Sequence, residues 1–356
     1  LGAGKTTLIG KIVPHLQRRG LRCGLITNDQ GQGLVDSVLA RQHTESVAEI
    51  TGGCFCCRLE HLVAAVERLS ERERPDVFLA EPVGSCTDLM ATVLLPLGQI
   101  YRMPLKLAPL SILLDGERAY RTLVSRRRTR DFSKDVGYIY RKQIEEAEII
   151  VINKIDLLTV AQRGKLRERL EREYPGRKIF ELSALSEAGI EAWLEAIMAG
   201  VSAPHEVMEV DYQRYGVGEA LLGWLNATVT IVPHHDFDGA TRLHQLAHAV
   251  VEGLERERIA IAHFKMILAG ADGSSLRVQV TRDGEKPQFA GGLDATTRGG
   301  KLLINLRAEG DPERLAAIVR EGMTRALKGV PHTMEEFAHF RPGQPKPTHR
   351  VAELVA

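Results

Sequence analysis

The sequence predicts an α/β fold with a mainly parallel sheet, followed by a smaller α+β domain. Three observations carry that expectation. Short apolar runs alternate with amphipathic stretches over the first two-thirds of the chain, the pattern of strands covered by helices. The alternation fades over 199–218, where Pro204, His205, Tyr212, Gly216 and Gly218 fall. A second pattern, richer in strands, follows.

Taken in order, 6–19 reads as a helix and 22–27 (RCGLIT) as a strand. Over 59–73 the residues Leu62, Ala65, Val66 and Leu69 share one helical face. Strands follow at 76–80, 107–114 and 149–152, then a charged helix at 162–173, a strand at 178–182 and a helix at 190–198. The second pattern places strands near 224–232, 262–268, 276–281 and 301–306, with helices at 240–257 and 311–327 and a Gly-rich loop before the last strand. Asp311-Pro312 supplies a capping side chain and a first-turn proline for the final helix. The expected division is a domain over 1–203, a linker over 204–222, an α+β domain over 223–330 and an extended tail over 331–356.

Composition narrows the function. The chain has 356 residues, with 44% hydrophobic and 26% charged positions, as in a folded globular protein. Lys and Arg number 47 and Asp and Glu 46, a net charge of +1 that lacks the basic excess of a non-specific nucleic-acid binder. No apolar run reaches the roughly 18 residues of a bilayer span. Five Cys, three of them within four positions, point to a reducing compartment, the cytoplasm, and to metal or redox chemistry. The chain begins at Leu1, already inside a motif, so the reading expects further residues upstream, among them a strand feeding that motif.

That motif is Gly2-Ala3-Gly4-Lys5-Thr6-Thr7. Gly4, Lys5 and Thr6 supply the last three positions of G-x-x-x-x-G-K-[ST]. Glycine lets backbone N–H groups wrap phosphates, Lys5 reaches the β/γ oxygens, and the Thr6 hydroxyl suits Mg²⁺. The helix that follows adds its positive end. Asn153-Lys154-Ile155-Asp156 follows an apolar strand. Its Asp can accept two hydrogen bonds from guanine, a donor pair that adenine lacks. Ser183-Ala184 fits the companion loop, whose N–H meets the base carbonyl. The set favours GTP over ATP.

Glu81-Pro82-Val83-Gly84 follows the strand DVFLA. A carboxylate at the carboxyl end of a buried strand is placed for Mg²⁺ or its water, and Gly84 can bring an N–H to the γ-phosphate. The stretch Asn28-Asp29-Gln30-Gly31-Gln32-Gly33-Leu34-Val35-Asp36 lies where a nucleotide-sensing switch is expected, with Asp29 near Mg²⁺ or the attacking water. Cys54-Phe55-Cys56-Cys57 follows Gly52-Gly53. Thiolates suit Zn²⁺, Cu⁺ and similar ions, and three of them leave one tetrahedral position for His61, Glu60, water or a partner's residue. Packed core thiols and a redox switch are the competing readings. Cys23 and Cys86 read as core residues, Arg126-Arg127-Arg128-Thr129-Arg130 as a solvated run, and His234-His235-Asp236 as an exposed loop.

Assembled in this order, GAGKTT, NDQGQGLVD, GGCFCC, EPVG and NKID resemble the CobW branch of the CobW/HypB/UreG family of metal-linked P-loop GTPases. The resemblance covers about residues 1 to 200, and CxCC between the phosphate loop and ExxG is its discriminating mark. It implies a P-loop GTPase, slow without a partner, that binds Zn²⁺, Co²⁺ or a related ion and delivers it to a client protein or cofactor pathway. It implies Cys54, Cys56 and Cys57 as transferable-metal ligands. Lys5, Thr6 and Glu81 then serve phosphate and Mg²⁺, Asn153, Lys154 and Asp156 read the base, and a nucleotide- or metal-dependent homodimer is an expected assembly. Family members often carry acidic residues where this chain has Thr27 and Gln32; Asp29 and Asp36 remain. A P-loop small-molecule kinase and a non-hydrolysing zinc or redox sensor are the alternatives.

Overall fold

The computed structural model describes residues 2–28, 35, 46–125, 132–200, 207–294 and 296–351. They fall into two compact units. One holds the described residues before 217, apart from Val35, together with 344–351; the other is built on 217–343.

In the first unit, helix α1 (Lys5–Arg18) leads to strand β1 (Cys23–Asn28), then β2 (Val47–Ile50), helix α2 (Leu59–Arg72) and β3 (Val77–Glu81). Strands β2, β1 and β3 form a parallel three-stranded sheet in that order. The alternation of strand and helix dictates this arrangement, since a parallel pair needs a crossover. A short helix α3 (Leu95–Gln99) precedes β4 (Ser111–Asp115), helix α4 (Gly116–Ala119), α5 (Lys134–Glu146), β5 (Ile149–Asn153), α6 (Val160–Glu173), β6 (Lys178–Glu181) and α7 (Ile190–Met198). Strands β4, β5 and β6 make a second parallel sheet. Helix α1 contributes Leu8, Ile12 and Leu16 to one apolar cluster with Leu25 of β1 and Ile149 and Val151 of β5. One helix therefore packs on both sheets, and the carboxyl ends of β3 and β5 lie near its N-terminus.

In the second unit, β7 (Leu222–Ile231), β8 (Ala260–Gly270), β9 (Ser275–Val280), β10 (Gln288–Gly292), β11 (Gly300–Glu309) and β12 (His332–Phe340) form an antiparallel sheet ordered β10-β9-β8-β11-β7-β12. Alternate strand residues such as Leu225, Ala227 and Val229 face helices α9 (Gly239–Arg256) and α10 (Pro312–Ala326) in one core. Asp311 caps α10 by accepting from the Glu313 N–H at 2.9 Å, as its sequence predicts.

Three segments differ from their expected form. Where the sequence suggests a linker over 204–222, residues Tyr212–Leu221 form a helix, α8. Asp211 caps it through the N–H groups of Gln213 and Arg214, both at 3.0 Å. Tyr215 anchors it, donating to the Ser85 carbonyl at 3.2 Å. These contacts outweigh the helix-weakening glycines. The Gly-rich loop contains β10, an edge strand whose Gly291 sits at φ 89°, where an added Cβ would lie 2.4 Å from the Ser275 carbonyl oxygen. The tail contains β12, paired with β7. Asp29, Asp36, Gln32, the Arg126–Arg130 run and Pro204 and His205 lie outside the described residues. Among the described residues no helix is long and apolar enough to cross a membrane.

Candidate nucleotide and metal site

Gly4 precedes α1 at φ 88° and ψ 28°, a left-handed conformation that glycine adopts freely. A Cβ there would lie 2.7 Å from Asn153 Nδ2. No side chain caps α1, so the N–H groups of its first turn point toward whatever anion binds there. Lys5, Thr6 and the exposed Thr7 stand in that turn, behind Gly2 and Ala3. Thr6 Oγ1 donates to Glu81 Oε1 at 2.8 Å, and Lys5 Nζ lies 3.9 Å from the same oxygen. Glu81 ends β3 and faces Thr27 of β1 in register. The structure thus brings the predicted phosphate lysine, hydroxyl and strand-end acid to one point.

Asn153 is a buried hub at the end of β5. Its Nδ2 donates to the Ala3 carbonyl at 2.7 Å, while Oδ1 accepts from the N–H groups of Lys154 at 2.7 Å and Ala184 at 3.0 Å. The Ala184 N–H, expected at a base carbonyl, is here bonded to Asn153. Ser183 is buried and its Oγ accepts from the Ser186 N–H at 3.3 Å. Lys154 sits at φ 61°, and Asp156 beyond it is exposed.

Asp115 is a residue that the sequence reading missed. It ends β4, and its Oδ2 lies 2.7 Å from Lys154 Nζ. Burial pushes its carboxyl up, but Lys154 and the Arg118 N–H outweigh that and hold it below the usual carboxylate range. The available signal was an acid closing the apolar run SILL, followed by a glycine. Gly116 leaves no room for a Cβ, which would lie 2.8 Å from the Asn153 carbonyl oxygen.

The cysteine motif folds into one turn. Gly52, at φ 76°, leads into it, and the Cys54 carbonyl accepts from the N–H groups of Cys57 at 3.1 Å and Arg58 at 3.0 Å. The turn converges three sulfurs: Cys54 to Cys56 at 2.7 Å, Cys54 to Cys57 at 3.3 Å and Cys56 to Cys57 at 3.8 Å. Among the described residues these three form the one cluster of His, Cys, Asp or Glu side chains suited to a metal ion. His61 and Glu60, both exposed, do not join it. Hydrogen bonding with Cys56 first, and then with Cys57, holds the Cys54 thiol below its ordinary range. The bond to Cys54 and burial push Cys56 up, and the bond to Cys54 also raises Cys57.

Asn28, read from sequence only as the first residue of the expected switch stretch, orders this turn. Its Nδ2 donates to the carbonyls of Ile50 at 3.1 Å and Gly53 at 2.7 Å, and its Oδ1 accepts from the Phe55 N–H at 2.9 Å. On the outer side, 344–351 runs past the cluster. The Lys346 N–H donates to Cys57 Sγ at 3.2 Å and the Thr348 N–H to the Cys56 carbonyl at 2.8 Å. Arg350 Nε pairs with Asp88 Oδ2 at 2.8 Å, and Tyr212 donates to that oxygen at 2.6 Å.

A family model described as the CobW/HypB/UreG nucleotide-binding domain matches residues 1–181. A curated relative named zinc chaperone CobW, from Sinorhizobium sp, is 27% identical over 189 residues, 48% of this chain and 52% of that protein. Zinc-regulated GTPase metalloprotein activator 1 of Dictyostelium discoideum is 32% identical over 98 residues, 24% of this chain and 20% of that protein. These matches span about half of the one relative's length and a fifth of the other's. Among solved structures, the hydrogenase maturation factor HypB of Archaeoglobus fulgidus is 20% identical with a TM-score of 0.39, covering 56% of this chain and 84% of HypB.

Proposed function

The chain belongs to the CobW/HypB/UreG family, and from that premise we propose that it is a GTP-hydrolysing metallochaperone, carrying a transition metal, zinc first among the candidates, to a client protein or cofactor pathway. The family's members are GTPases. The observation that carries the proposal is the convergence of Cys54, Cys56 and Cys57 in the same compact unit as a phosphate loop braced by a guanine-type motif. The relatives named as a zinc chaperone and a zinc-regulated activator support zinc as cargo.

In this reading Gly2 to Thr7 enclose the phosphates with backbone N–H groups, and Lys5 balances their charge. Asp156 accepts from guanine while Asn153 fixes the loop, with Lys154 held by Asp115. Thr6 and Glu81 fit Mg²⁺: two oxygen donors already meet at 2.8 Å, and oxygen is the ligand that this hard cation takes. When bound, Mg²⁺ supplies charge neutralisation at the β/γ oxygens. Lys5, relieved of Glu81, turns to phosphate. Cargo metal binds the thiol cluster, whose affinity depends on the nucleotide state, and hydrolysis favours release. Linkage requires metal to alter nucleotide affinity by the same factor.

The test is a Zn²⁺ titration against a competing chelator, with GDP and with a non-hydrolysable GTP analogue, alongside phosphate release from GTP. Stoichiometric zinc, lost when Cys54, Cys56 and Cys57 become Ser, with an affinity that differs between nucleotides, supports the carrier. Equal affinity in both states, or no GTP turnover, removes it.

A further inference from the structure

Residues 344–348 read Gln-Pro-Lys-Pro-Thr. Proline fixes its own φ and holds the residue before it in extended backbone. The structure accordingly has no helix or turn over 341–347. Along an extended chain the N–H groups alternate between two edges. Pro345 and Pro347 take one edge and have no N–H, while Lys346 and Thr348 present theirs on the other. Both of those N–H groups reach the cysteine turn: Lys346 donates to Cys57 Sγ at 3.2 Å and Thr348 to the Cys56 carbonyl at 2.8 Å. The proline edge cannot donate to a further strand, so the segment bonds on one side only.

Building on the metal-carrier reading above, we propose that 344–351 is part of the metal site: the Lys346 N–H supports the Cys57 sulfur as a ligand, and the anchor of Arg350 on Asp88 sets how fast the ion leaves. Cys54 and Cys56 are buried, and Cys57 is the more open of the three sulfurs. The segment lies against that open sulfur, on the side from which a client's ligand reaches the ion. A donor to a ligand atom fixes its direction and tunes its electron density without touching the metal. Transfer by ligand exchange moves no electron: each thiolate that gives up the ion takes a proton from solvent.

The segment is fixed at its far end. Asp88 is buried, at 1% exposure, and its Oδ2 accepts from Arg350 Nε at 2.8 Å and from the Tyr212 hydroxyl at 2.6 Å. Arg350 also donates to the Met208 carbonyl at 2.8 Å, and the Val351 N–H to the Ala91 carbonyl at 2.9 Å. At the near end Gln344 Nε2 donates to the Tyr212 carbonyl at 3.3 Å. The Lys346 and Thr348 bonds to the cysteine turn thus lie between two tethered ends. The Arg350 side chain keeps access to water, so this anchor opens without stranding a guanidinium in an apolar interior. Once it opens, two backbone bonds are all that the segment keeps on the cysteine turn.

The experiment uses the full chain, with thermal unfolding as the check on folding. Zinc transfer from the loaded protein to excess chelator is timed in wild type, Arg350→Ala and Asp88→Asn. Asparagine tolerates the left-handed backbone at 88, where φ is 63°, which supplies a folded variant if Arg350→Ala loses stability. Both variants are expected to release zinc at least about ten-fold faster, and in metal-free protein Cys57 alkylation, read by mass spectrometry, quickens in both. Cobalt(II) in place of zinc reads the Lys346 donor. Lys346→Pro removes the N–H, and the sulfur-to-metal charge-transfer band moves to lower energy, because a hydrogen bond to sulfur stabilises its lone pairs; Lys346→Ala keeps the N–H and the wild-type band. Release or alkylation within about two-fold of wild type in the folded anchor variants, or an unmoved band in Lys346→Pro, overturns the proposal while leaving the carrier reading standing. Failure of wild type itself to bind zinc overturns both.

Discussion

Asn153 Nδ2 donates to the Ala3 carbonyl at 2.7 Å, so the NKID loop and the Gly-rich loop before α1 are one hydrogen-bonded object. The two motifs lie about 150 residues apart in sequence. They approach so closely that a Cβ at Gly4 would strike Asn153.

Asn153→Ala removes three hydrogen bonds at once, two of them buried. Nucleotide affinity is expected to fall by at least about ten-fold, for guanine and adenine nucleotides alike, because the phosphate loop loses its brace. Asp156→Ala is expected to behave differently. It lowers GDP affinity by roughly ten- to a hundred-fold and leaves ATP affinity unchanged. Titration of fluorescent GDP and ATP analogues against both variants separates the two effects; a uniform loss in Asp156→Ala would refute base reading by that residue.

Asp115→Ala removes the carboxylate that lies 2.7 Å from Lys154 Nζ. The expected cost is about 2–3 kcal/mol, below that of a fully enclosed pair because Lys154 retains some access to water. The native carboxyl is held below its ordinary range. Its stabilising contribution is therefore present above the unfolded value of about 4 and is lost as pH falls through the folded value. Urea denaturation at neutral pH and in acid checks both the size and the direction: the gap between wild type and variant narrows in acid.

Glu146 gives the opposite slope. It is buried beside Asp88 and accepts from the Leu89 N–H at 2.7 Å. Burial first, and then the Asp88 charge, push its carboxyl up to about 8. The folded chain thus holds a proton that the unfolded chain releases near pH 4. That contribution is complete below pH 4 and disappears as pH rises through about 8. Between those limits wild type is expected to lose up to about 1.4 kcal/mol per pH unit relative to Glu146→Gln. Melting temperatures of the two proteins from pH 5 to about 9 test it; parallel curves would show that Glu146 does not titrate on unfolding.

Asn28→Ala touches no sulfur but frees the turn that aims all three. Zinc affinity is expected to drop by about 10- to 100-fold, as when groups supporting ligands are removed elsewhere. Three hydrogen bonds are lost with the side chain, so a stability loss of about 1–3 kcal/mol accompanies it. Chelator competition reads the first effect and thermal unfolding the second. A variant that unfolds easily yet binds zinc as wild type does would make Asn28 structural only.

The sequence by itself determined the local chemistry. Gly4-Lys5-Thr6 must be a turn entering a helix, and the apolar runs ending at Glu81 and Asn153 must be strands presenting a polar residue at their ends, because backbone sterics and hydrophobic period act over a few residues. The long helices α1, α2, α6 and α7 were legible for the same reason. Helix α8 and strand β10 were not, since glycines lower their intrinsic preference and only Asp211, Tyr215 and the edge of β9 overcome it. Tertiary structure alone decided which distant residues meet. Nothing in the order of residues says that Asp115 pairs with Lys154 or that Asn28 aims the cysteine turn. Those contacts depend on how the parallel strands are ordered and on the loops at their carboxyl ends. A one-dimensional pattern does not record that ordering, because it is set by the burial of both sheets against shared helices.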